Sequence, residues 1–372
     1  MMNKFTLFFL VFGVSILSVH AKQIKLLAIG NSFSDDAIEY YLSGLAEANG
    51  DTIILGNMYI GGCSLEKHYN NSVNNSPDYS YRKIVNGVKT TTPGYTLIDA
   101  FGDEEWDYIS FQQVSSLSGQ YESYFPYLEE LISFAEKYSS NPDMEPILHA
   151  TWAYAQTSTH AGFQNYSNNQ GSMYNAIIDA SGRAAQKTGI KIIIPAGTAI
   201  QNGRTSSLGD TFCRDGYHLE LNYGRYTASC AWYEKLFKKT VVGNSYVPCT
   251  VTPFQAKIAQ LSAHYAVANP DKVTPVEVSE YSWRTIAPYF YPPKEYEYSF
   301  HGYRSPLQFY DGTLVKDRTD WRKRREEIRS RWMEMLGEWP PILDQQEFKI
   351  IDKEKREDFT QYRVRFYWTP NE

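Results

Sequence analysis

Short, uninterrupted apolar runs alternate with amphipathic helical patterns along most of the first 270 residues of the chain. Apolar runs without polar alternation are typical of strands buried on both faces, and strands separated by helices pair in parallel. The sequence therefore predicts an α/β fold, a three-layer α/β/α sandwich with a mainly parallel sheet, over residues 22–271. The predicted strands lie at 25–29, 52–55, 107–111, 146–151 and 190–195, and the predicted helices at 34–48, 121–138, 173–187, 222–237 and 253–267.

Residues 1–21 have the three parts of a secretory signal peptide. Lys4 precedes an apolar stretch over residues 5–17, and small residues follow at Val19 and Ala21. This pattern predicts cleavage after Ala21 and export to the periplasm or the extracellular space. The apolar stretch is too short to span a bilayer comfortably, so we expect no membrane insertion.

The character of the chain changes after residue 271. Residues 272–316 are rich in tyrosine, phenylalanine and proline with weak periodicity, which predicts a linker. Residues 317–336 form a charged helical pattern, and strand-like stretches follow at 347–351 and 362–368, so 317–372 is predicted to be a small C-terminal extension. The arginines of the helix are interleaved with glutamates, as on a solvated helix face. The formal net charge of −6 argues against nucleic acid as a partner.

Two polar segments at the predicted carboxyl edge of the sheet carry candidate catalytic side chains. In an open α/β sheet, ligands bind beyond the carboxyl ends of the strands. Ser32 follows the first predicted strand there, either as an exposed nucleophile or as a helix-capping serine. Asp215 stands three residues before His218, so its carboxylate can hold Nδ1–H while Nε2 takes a proton from a serine. These residue types predict nucleophilic catalysis.

The turn at residues 30–33 (GNSF) after a first strand, with Asp215-x-x-His218 late in the same domain, resembles the GDSL/SGNH hydrolase superfamily. More narrowly, it resembles a branch found in exported proteins of gut bacteria. The resemblance covers about residues 25–268. It implies a flavodoxin-like fold in which Ser32 is the nucleophile and Asp215 and His218 complete a catalytic triad.

The same resemblance assigns the groups that stabilise the oxyanion of an acyl-transfer reaction. In that superfamily, the nucleophile and a glycine after the second strand donate backbone N–H groups, which here are Ser32 and the second of two adjacent glycines, Gly62. The third donor is the asparagine of a Gly-x-Asn-Asp motif after the third strand. This chain has FQQVSS at residues 111–116 instead, so we expect Gln113 to replace the asparagine, with Ser115 as the alternative.

Several side chains beside the predicted site are candidates for contact with a substrate. His68 is predicted to lie in the loop after the second strand, and Gln112 directly follows the third. His149 ends an apolar strand at the expected catalytic edge, so it could line the site. Aromatic rings with a polar tip suit sugar surfaces, although they also fill protein cores. The rings expected to face a sugar are those of Tyr59, Tyr69, Trp152, Tyr154 and Tyr217.

The mature part of the chain contains four cysteines, Cys63, Cys213, Cys230 and Cys249, whose spacing matches no zinc-binding pattern. An even number permits disulfides in an exported protein, and buried free thiols are as well supported as a bridge. The mapping onto the superfamily places Cys63 beside the oxyanion glycine and Cys213 beside the triad aspartate. If one bridge forms, we therefore expect Cys63–Cys213. We expect no metal ion and no cofactor, because acyl transfer by a serine needs neither.

A second resemblance concerns the C-terminal extension. Residues 321–341 (WRKRREEIRSRWMEMLGEWPP) and the stretch at 347–370 look like the opening of an α/β-hydrolase module of polysaccharide esterases. The Gly-x-Ser-x-Gly nucleophile motif of such modules does not occur in this sequence. We therefore assign no catalysis to the extension.

Together these features predict a secreted serine esterase that removes ester groups, above all O-acetyl groups, from oligo- or polysaccharides. Lipase and thioesterase activities also occur in the superfamily, but the loops at 69–79 and 158–171 are polar rather than apolar. A pectin-type methyl esterase is a further alternative. The alternative from another class is a non-catalytic glycan-binding protein on a hydrolase fold, which the irregular third motif would fit.

Overall fold

The computed structural model describes residues 21–278, 302, 304–337, 348–355 and 359–366. The chain divides into two compact units, residues 1–280 and residues 281–372. The predicted signal peptide lies outside the described residues except for Ala21, and so do residues 279–301 and 303 of the predicted linker. Every helix in the described part of the chain is too short or too polar to cross a membrane.

A seven-stranded sheet forms the centre of the first unit. Its strands are β1 (Gln23–Gly30), β2 (Thr52–Tyr59), β3 (Tyr79–Val85), β4 (Val88–Tyr95), β5 (Tyr108–Phe111), β6 (Glu145–His149) and β7 (Ile192–Ile194). Their order across the sheet is β4-β3-β2-β1-β5-β6-β7. The strands β2, β1, β5, β6 and β7 are parallel, whereas β3 and β4 form an antiparallel hairpin at one edge. The carboxyl ends of the parallel strands therefore meet at one edge, where the polar turns lie.

Successive residues of β1 pack on opposite faces of the sheet. Leu26 and Ala28 belong to one apolar core, and Leu27 and Ile29 belong to the other. All four side chains are buried, as a parallel strand covered on both faces requires. The sheet therefore lies between two helical layers, and the predicted α/β fold with a mainly parallel sheet is confirmed.

Nine helices of the first unit cover the sheet within the described residues. They are α1 (Ser32–Ile38), α2 (Leu42–Glu47), α3 (Leu65–Asn74), α4 (Leu97–Asp103), α5 (Tyr127–Tyr138), α6 (Gln170–Thr188), α7 (Ala196–Arg204), α8 (Tyr223–Phe237) and α9 (Pro253–Ala268). Residues of α1, α2, α7, α8 and α9 form the first core, and residues of α3, α4 and α5 form the second. Short 3-10 turns occur at Ser115–Leu117, Tyr121–Tyr124 and Ala161–Tyr166.

The hairpin β3–β4 and the helices α3, α4 and α7 are absent from the elements predicted above. Asn86 and Gly87 join the two strands with φ angles of 50° and 72°. Positive φ at both central positions is the geometry of a tight hairpin turn, and Asn-Gly is its preferred sequence. Residues 34–48 also differ from the prediction, because they belong to two short helices, α1 and α2, rather than one.

The packed part of the first unit continues beyond residue 271, where the sequence predicts a linker to begin. Val276 is buried in the first core, and Val273 and Val278 pack against it. The backbone N–H of Thr274 donates to Asn202 Oδ1 at 2.7 Å. These contacts attach residues 273–278 to the domain.

The second unit contains one helix and one hairpin among the described residues. The helix α10 (Arg318–Leu336) begins at Asp317, whose side chain accepts hydrogen bonds from two backbone N–H groups of the first turn. The strands β8 (Phe348–Lys355) and β9 (Thr360–Phe366) pair in antiparallel fashion. Arginines and glutamates form ion pairs along α10, such as Arg331–Glu334 at 2.7 Å.

Candidate active site

The nucleophile turn, which we define as residues 30–34, joins β1 to α1. Asn31 caps α1, since its side-chain oxygen accepts a hydrogen bond from the backbone N–H of Phe33 at 3.0 Å. Ser32 is therefore the first helical residue, and it stays partly exposed at the carboxyl edge of the sheet. Gly30 permits this tight turn, because a Cβ there would lie only 2.2 Å from Ser34 Oγ.

The acid–base loop, which we define as residues 213–219, approaches the nucleophile turn from the segment before α8. Cys213 and Leu219 pair in a short antiparallel bridge, and the backbone N–H of Arg214 donates to the carbonyl of His218 at 2.9 Å. Gly216 has a φ of 92°, which a residue with a side chain adopts only under strain. The loop is thus closed on itself and presents two titratable side chains, Asp215 and His218, at its tip.

Ser32, His218 and Asp215 form a continuous hydrogen-bonded chain. His218 Nε2 lies 2.9 Å from Ser32 Oγ, and His218 Nδ1 lies 2.6 Å from Asp215 Oδ2. Burial raises the pKa of Asp215, but hydrogen bonds from the His218 side chain and from two loop N–H groups outweigh it and lower the pKa to about 2. The carboxylate therefore accepts the proton on Nδ1, and Nε2 is left to accept the hydroxyl proton of Ser32.

The glycine turn, which we define as residues 60–64, follows β2 beside the nucleophile turn. Asn31 Nδ2 donates to the carbonyl of Cys63 at 3.0 Å, which ties the two turns together. Gly62 is exposed and left-handed, with a φ of 61°, and no atom of the described residues lies within 4 Å of the position that a Cβ would take. A substrate group can therefore approach the backbone of Gly62 closely.

Gln113 holds loops together and has no group left for a substrate. Its Nε2 donates to the carbonyl and the hydroxyl of Ser123 at 2.8 and 3.1 Å. Its Oε1 accepts the backbone N–H groups of Leu65 and Val114 at 3.1 and 2.8 Å. The structure therefore contradicts the prediction that Gln113 donates to the oxyanion.

Gln112 lies in a buried network that reaches the nucleophile turn. Its Nε2 donates to Asn31 Oδ1 at 2.7 Å, and its Oε1 lies 2.7 Å from His149 Nδ1. Burial lowers the pKa of His149 to about 3, so the ring is neutral and donates its Nδ1–H to Gln112. These contacts fix the orientation of the Gln112 amide and leave its second N–H without an acceptor among the described residues.

Aromatic rings pack around Ser32, His218 and Asp215, some of them buried and some partly exposed. The Phe33 ring stacks on Trp152 with centroids 4.2 Å apart, and Trp152 Nε1 donates to the carbonyl of Tyr217 at 2.7 Å. The centroid of the Tyr217 ring lies 4.1 Å from that of the His218 ring and 4.8 Å from that of the His160 ring. Trp152 thus links the residue after Ser32 to the residue before His218, while Tyr217 and His160 stay partly exposed.

This arrangement combines a hydroxyl nucleophile, a neutral base and an orienting carboxylate, which together can perform acyl transfer. Within the described residues, no three histidine, cysteine, aspartate or glutamate side chains are grouped so that they could hold a metal ion.

The turns that carry these side chains lie within one recognised family domain. The model of the DUF4886 family, described as a domain of unknown function, matches residues 25–266. The chain belongs to the DUF4886 family. A crystal structure of a DUF4886 family protein from Bacteroides uniformis is 52% identical, covers 68% of this chain and 98% of that chain, and has a TM-score of 0.67.

More distant solved structures resemble the DUF4886 domain weakly. A protein proposed to be an SGNH hydrolase, from Slackia heliotrinireducens, is 18% identical, covers 58% of this chain and all of its own, and has a TM-score of 0.40. The acetylxylan esterase Axe2 from Geobacillus stearothermophilus is 12% identical, covers 62% of this chain and 98% of its own, and has a TM-score of 0.38. Likeness at this level carries no argument about activity. No curated protein matches the chain.

Four side chains of the DUF4886 domain that were predicted to contact a substrate are buried, among them Gln112, whose amide reaches the nucleophile turn through Asn31. Trp152 and Tyr154 are fully buried in the first core, and the Tyr154 hydroxyl lies 2.8 Å from Ser115 Oγ. His68 lies in α3 rather than in a loop, fully buried with Nδ1 2.9 Å from the Tyr79 hydroxyl. The fourth, Gln112, is only 2% exposed. Of the predicted contacts, Tyr59, Tyr69 and Tyr217 remain partly open to solvent.

The predicted Cys63–Cys213 disulfide is wrong, since all four cysteines are free. The Cys63 thiol donates to the neighbouring carbonyl of Ser64 at 3.8 Å, and the Cys213 sulfur accepts from the Arg204 guanidinium at 3.4 Å. Burial raises the pKa of both thiols, to about 12 for Cys63 and about 11 for Cys213. The acid–base loop is therefore held by hydrogen bonds rather than by a covalent bridge.

Three further residues of the DUF4886 domain bear on the site: His149, which was predicted to line it, and His160 and Asp36, which were not among the predicted residues. His149 orients Gln112, His160 lies beside Tyr217, and Asp36 binds the acid–base loop. The position of His149 at the end of a predicted strand was a usable signal, because that edge of the sheet carries the site. Asp36 gave no such signal, since an aspartate in the first turns of a helix is common.

Proposed function

We propose that this DUF4886 protein is a serine esterase that removes acyl groups, above all O-acetyl groups, from carbohydrate. The observation that carries the proposal is the hydrogen-bonded chain from Ser32 through His218 to Asp215, with distances of 2.9 and 2.6 Å. The resemblance of the turns at residues 30–33 and 215–218 to the GDSL/SGNH superfamily supports the same reaction. The predicted signal peptide supports a role outside the cytoplasm, where such polysaccharides occur.

In the proposed reaction, Ser32 Oγ attacks the ester carbonyl while His218 Nε2 takes the hydroxyl proton. The tetrahedral intermediate collapses to an acyl-enzyme as His218 gives that proton to the leaving sugar hydroxyl. Water, deprotonated by His218, then attacks the acyl-enzyme, and the carboxylic acid leaves as Ser32 regains its proton. Asp215 keeps the Nδ1 proton in place and stabilises the imidazolium in both halves of the reaction.

Three donors are proposed to stabilise the oxyanion: the backbone N–H groups of Ser32 and Gly62 and the second Nε2–H of Gln112. The N–H of Ser32 opens α1 and so has no carbonyl acceptor within the helix. Gly62 lies in the neighbouring turn, which Asn31 holds against the nucleophile. Gln112 donates one amide hydrogen to Asn31 and therefore has the other available at the same turn.

Replacing Gln112 with methionine is expected to lower kcat about 10²- to 10³-fold, the usual cost of one oxyanion donor. Gln113→Met is the matched control, because Gln113 is also a buried amide that makes several hydrogen bonds but binds loops instead. Steady-state kinetics on p-nitrophenyl acetate and thermal unfolding check both variants. We expect both to lose stability and only Gln112→Met to lose kcat. Equal losses of kcat in the two variants would mean that Gln112 is not the third oxyanion donor.

The function is tested by measuring acetate and methanol release from a panel of acetylated and methyl-esterified polysaccharides. Ser32→Ala serves as the control for background hydrolysis. We expect acetate release by the wild-type protein and none by the variant. Methanol release alone would identify a methyl esterase. If the two proteins give equal rates on every substrate, the esterase proposal fails and a glycan-binding role replaces it.

His160 is proposed to contact the sugar part of the substrate. Its Nδ1 accepts the backbone N–H of Gly162 at 3.0 Å, so the ring proton is on Nε2. Burial and the nearby His218 lower the pKa of His160, which keeps the ring neutral. Its ring lies beside Tyr217 at the rim of the site, where a sugar hydroxyl could accept the Nε2–H.

Replacing His160 with alanine is expected to raise KM for an acetylated oligosaccharide about 3- to 10-fold, the effect of one lost hydrogen bond. Because p-nitrophenyl acetate has no sugar, its KM should stay unchanged. The ratio of the two KM values is the measurement. A parallel increase for both substrates would show that His160 acts on the triad rather than on the sugar.

A further inference from the structure

Asp36 is a buried carboxylate one helical turn after the nucleophile. It lies four residues after Ser32 on α1, and it is completely shielded from solvent. It makes no direct contact with the triad, and the mechanism above gives it no step. A buried carboxylate is costly to keep unless donors surround it, so its partners indicate what it holds.

The partners of Asp36 lie on the acid–base loop and on α8. The backbone N–H of Leu219 donates to Asp36 Oδ2 at 2.8 Å, and the Arg214 guanidinium donates to both carboxylate oxygens at 3.0 and 3.1 Å. Arg225, in the first turn of α8, donates through Nε at 2.7 Å. Arg214 and Leu219 stand immediately on either side of the segment from Asp215 to His218. Asp36 thus binds both ends of the catalytic segment.

These contacts connect the two elements that the triad must bring together. The loop itself is closed by its own backbone pairing, so its position relative to α1 depends on contacts such as those of Asp36. The contact between Ser32 Oγ and His218 Nε2, 2.9 Å long, spans that junction. A displacement of about 1 Å at such a junction can cost about 10²-fold in rate.

We propose that Asp36 is a positioning residue that fixes the acid–base loop against the helix of the nucleophile and so sets the distance between Ser32 and His218. The proposal rests on the proposed esterase function. It assigns to Asp36 a role in the geometry of the reaction, in addition to its share in the stability of the domain.

The test compares Asp36→Asn with Asp51→Asn. Asp51 is also a buried carboxylate, paired with Lys239 at 2.7 Å and with the backbone N–H of Lys22, but it precedes β2 at the opposite edge of the sheet. We expect both variants to unfold at lower temperature. Only Asp36→Asn should lower kcat on p-nitrophenyl acetate, by about 10- to 100-fold, with KM within about threefold of wild type. Equal kcat in folded Asp36→Asn and wild type would overturn the proposal, and so would an equal kcat loss in Asp51→Asn.

A second readout does not depend on turnover. The proton between His218 Nδ1 and Asp215 should give a far-downfield proton NMR signal in the wild-type protein, because the contact is short and charged. We expect Asp36→Asn to broaden or lose this signal and Asp51→Asn to keep it. If no ester is hydrolysed, the proposed function fails, while the NMR comparison still decides whether Asp36 holds the loop.

If Asp36→Asn does not fold, the variant Arg214→Gln tests whether Asp36 positions the acid–base loop. This change removes one tie to the loop and leaves Asp36 paired with Arg225 and the Leu219 N–H. We expect kcat to fall less than tenfold but measurably, with a broadened downfield signal. Wild-type kcat together with an unchanged signal would overturn the proposal.

Discussion

Replacing Ser32 with alanine is expected to lower kcat for ester hydrolysis about 10⁶-fold, to the level that the oxyanion donors and substrate binding alone support. The reason is geometric: Ser32 Oγ is the hydroxyl that lies 2.9 Å from His218 Nε2, and without it the base has no nucleophile to activate. Single-turnover and steady-state rates on p-nitrophenyl acetate are the measurement. The variant should bind substrate normally, because the methyl group of alanine fits the space of the hydroxyl.

The matched control for this prediction is Ser172→Ala. Ser172 is an exposed serine in the first turn of α6, where the substitution should change the free energy of unfolding by no more than about 0.5 kcal/mol. Both variants should unfold at nearly the wild-type temperature. Ester hydrolysis by folded Ser32→Ala at the rate of Ser172→Ala would mean that another residue is the nucleophile.

The sequence predicted the parallel part of the sheet because its strands appear as continuous apolar runs, a pattern set by burial on both faces. The strand β3 has a different pattern. Tyr79 and Tyr81 are buried in the second core and alternate with the partly buried polar residues Ser80 and Arg82. The Asn86-Gly87 turn was the signal that could have found the hairpin.

The proximity of Ser32, His218 and Asp215 could be predicted because these residues sit in short local motifs. The spacing between Asp215 and His218 alone brings carboxylate and imidazole together, and Ser32 is placed by the end of β1. The third oxyanion donor was not predictable in this way. Gln112 and Gln113 are adjacent after β5, and neighbouring residues of an extended segment point in opposite directions. Only the contacts of the two side chains show that Gln112, and not Gln113, reaches the nucleophile turn, and these contacts cannot be read from the linear sequence.

The prediction that Trp152 and Tyr154 face a sugar was wrong for a related reason. Proximity along the chain to a catalytic turn does not determine whether a ring faces solvent or core. Trp152 stacks on Phe33, and its indole N–H donates to the carbonyl of Tyr217, so this N–H already has an acceptor inside the protein. Large aromatic rings serve both purposes, and only packing distinguishes them.

Replacing Asp215 with asparagine is expected to lower kcat about 10⁴-fold, the loss seen when the orienting carboxylate of such a triad becomes an amide. An asparagine can present an N–H to His218 Nδ1, which moves the ring proton to Nε2. His218 then has no lone pair for the hydroxyl proton of Ser32. Asp179→Asn is the control, since Asp179 is exposed on α6 and pairs with the neighbouring Arg183.

The pH dependence of the wild-type enzyme follows from the same carboxylate. Because hydrogen bonding lowers the pKa of Asp215 from 3.8 to about 2, Asp215 stays charged at any pH well above 2. A loss of activity at a higher pH on the acid side is therefore expected to follow protonation of a group other than Asp215.

Because the pKa of Asp215 is lowered in the folded protein, its charged form stabilises the fold, and this stabilisation is lost toward acid pH. The contribution of Asp215 is complete above pH 3.8 and is lost as the pH falls through about 2. Thermal unfolding between pH 2 and pH 6 should therefore show a steeper acid loss for wild type than for Asp215→Asn. Parallel curves for the two proteins would mean that Asp215 and His218 are not paired in solution. Asp215 would then not determine which nitrogen of His218 carries the proton, and the explanation given above for the loss of kcat in Asp215→Asn would be wrong.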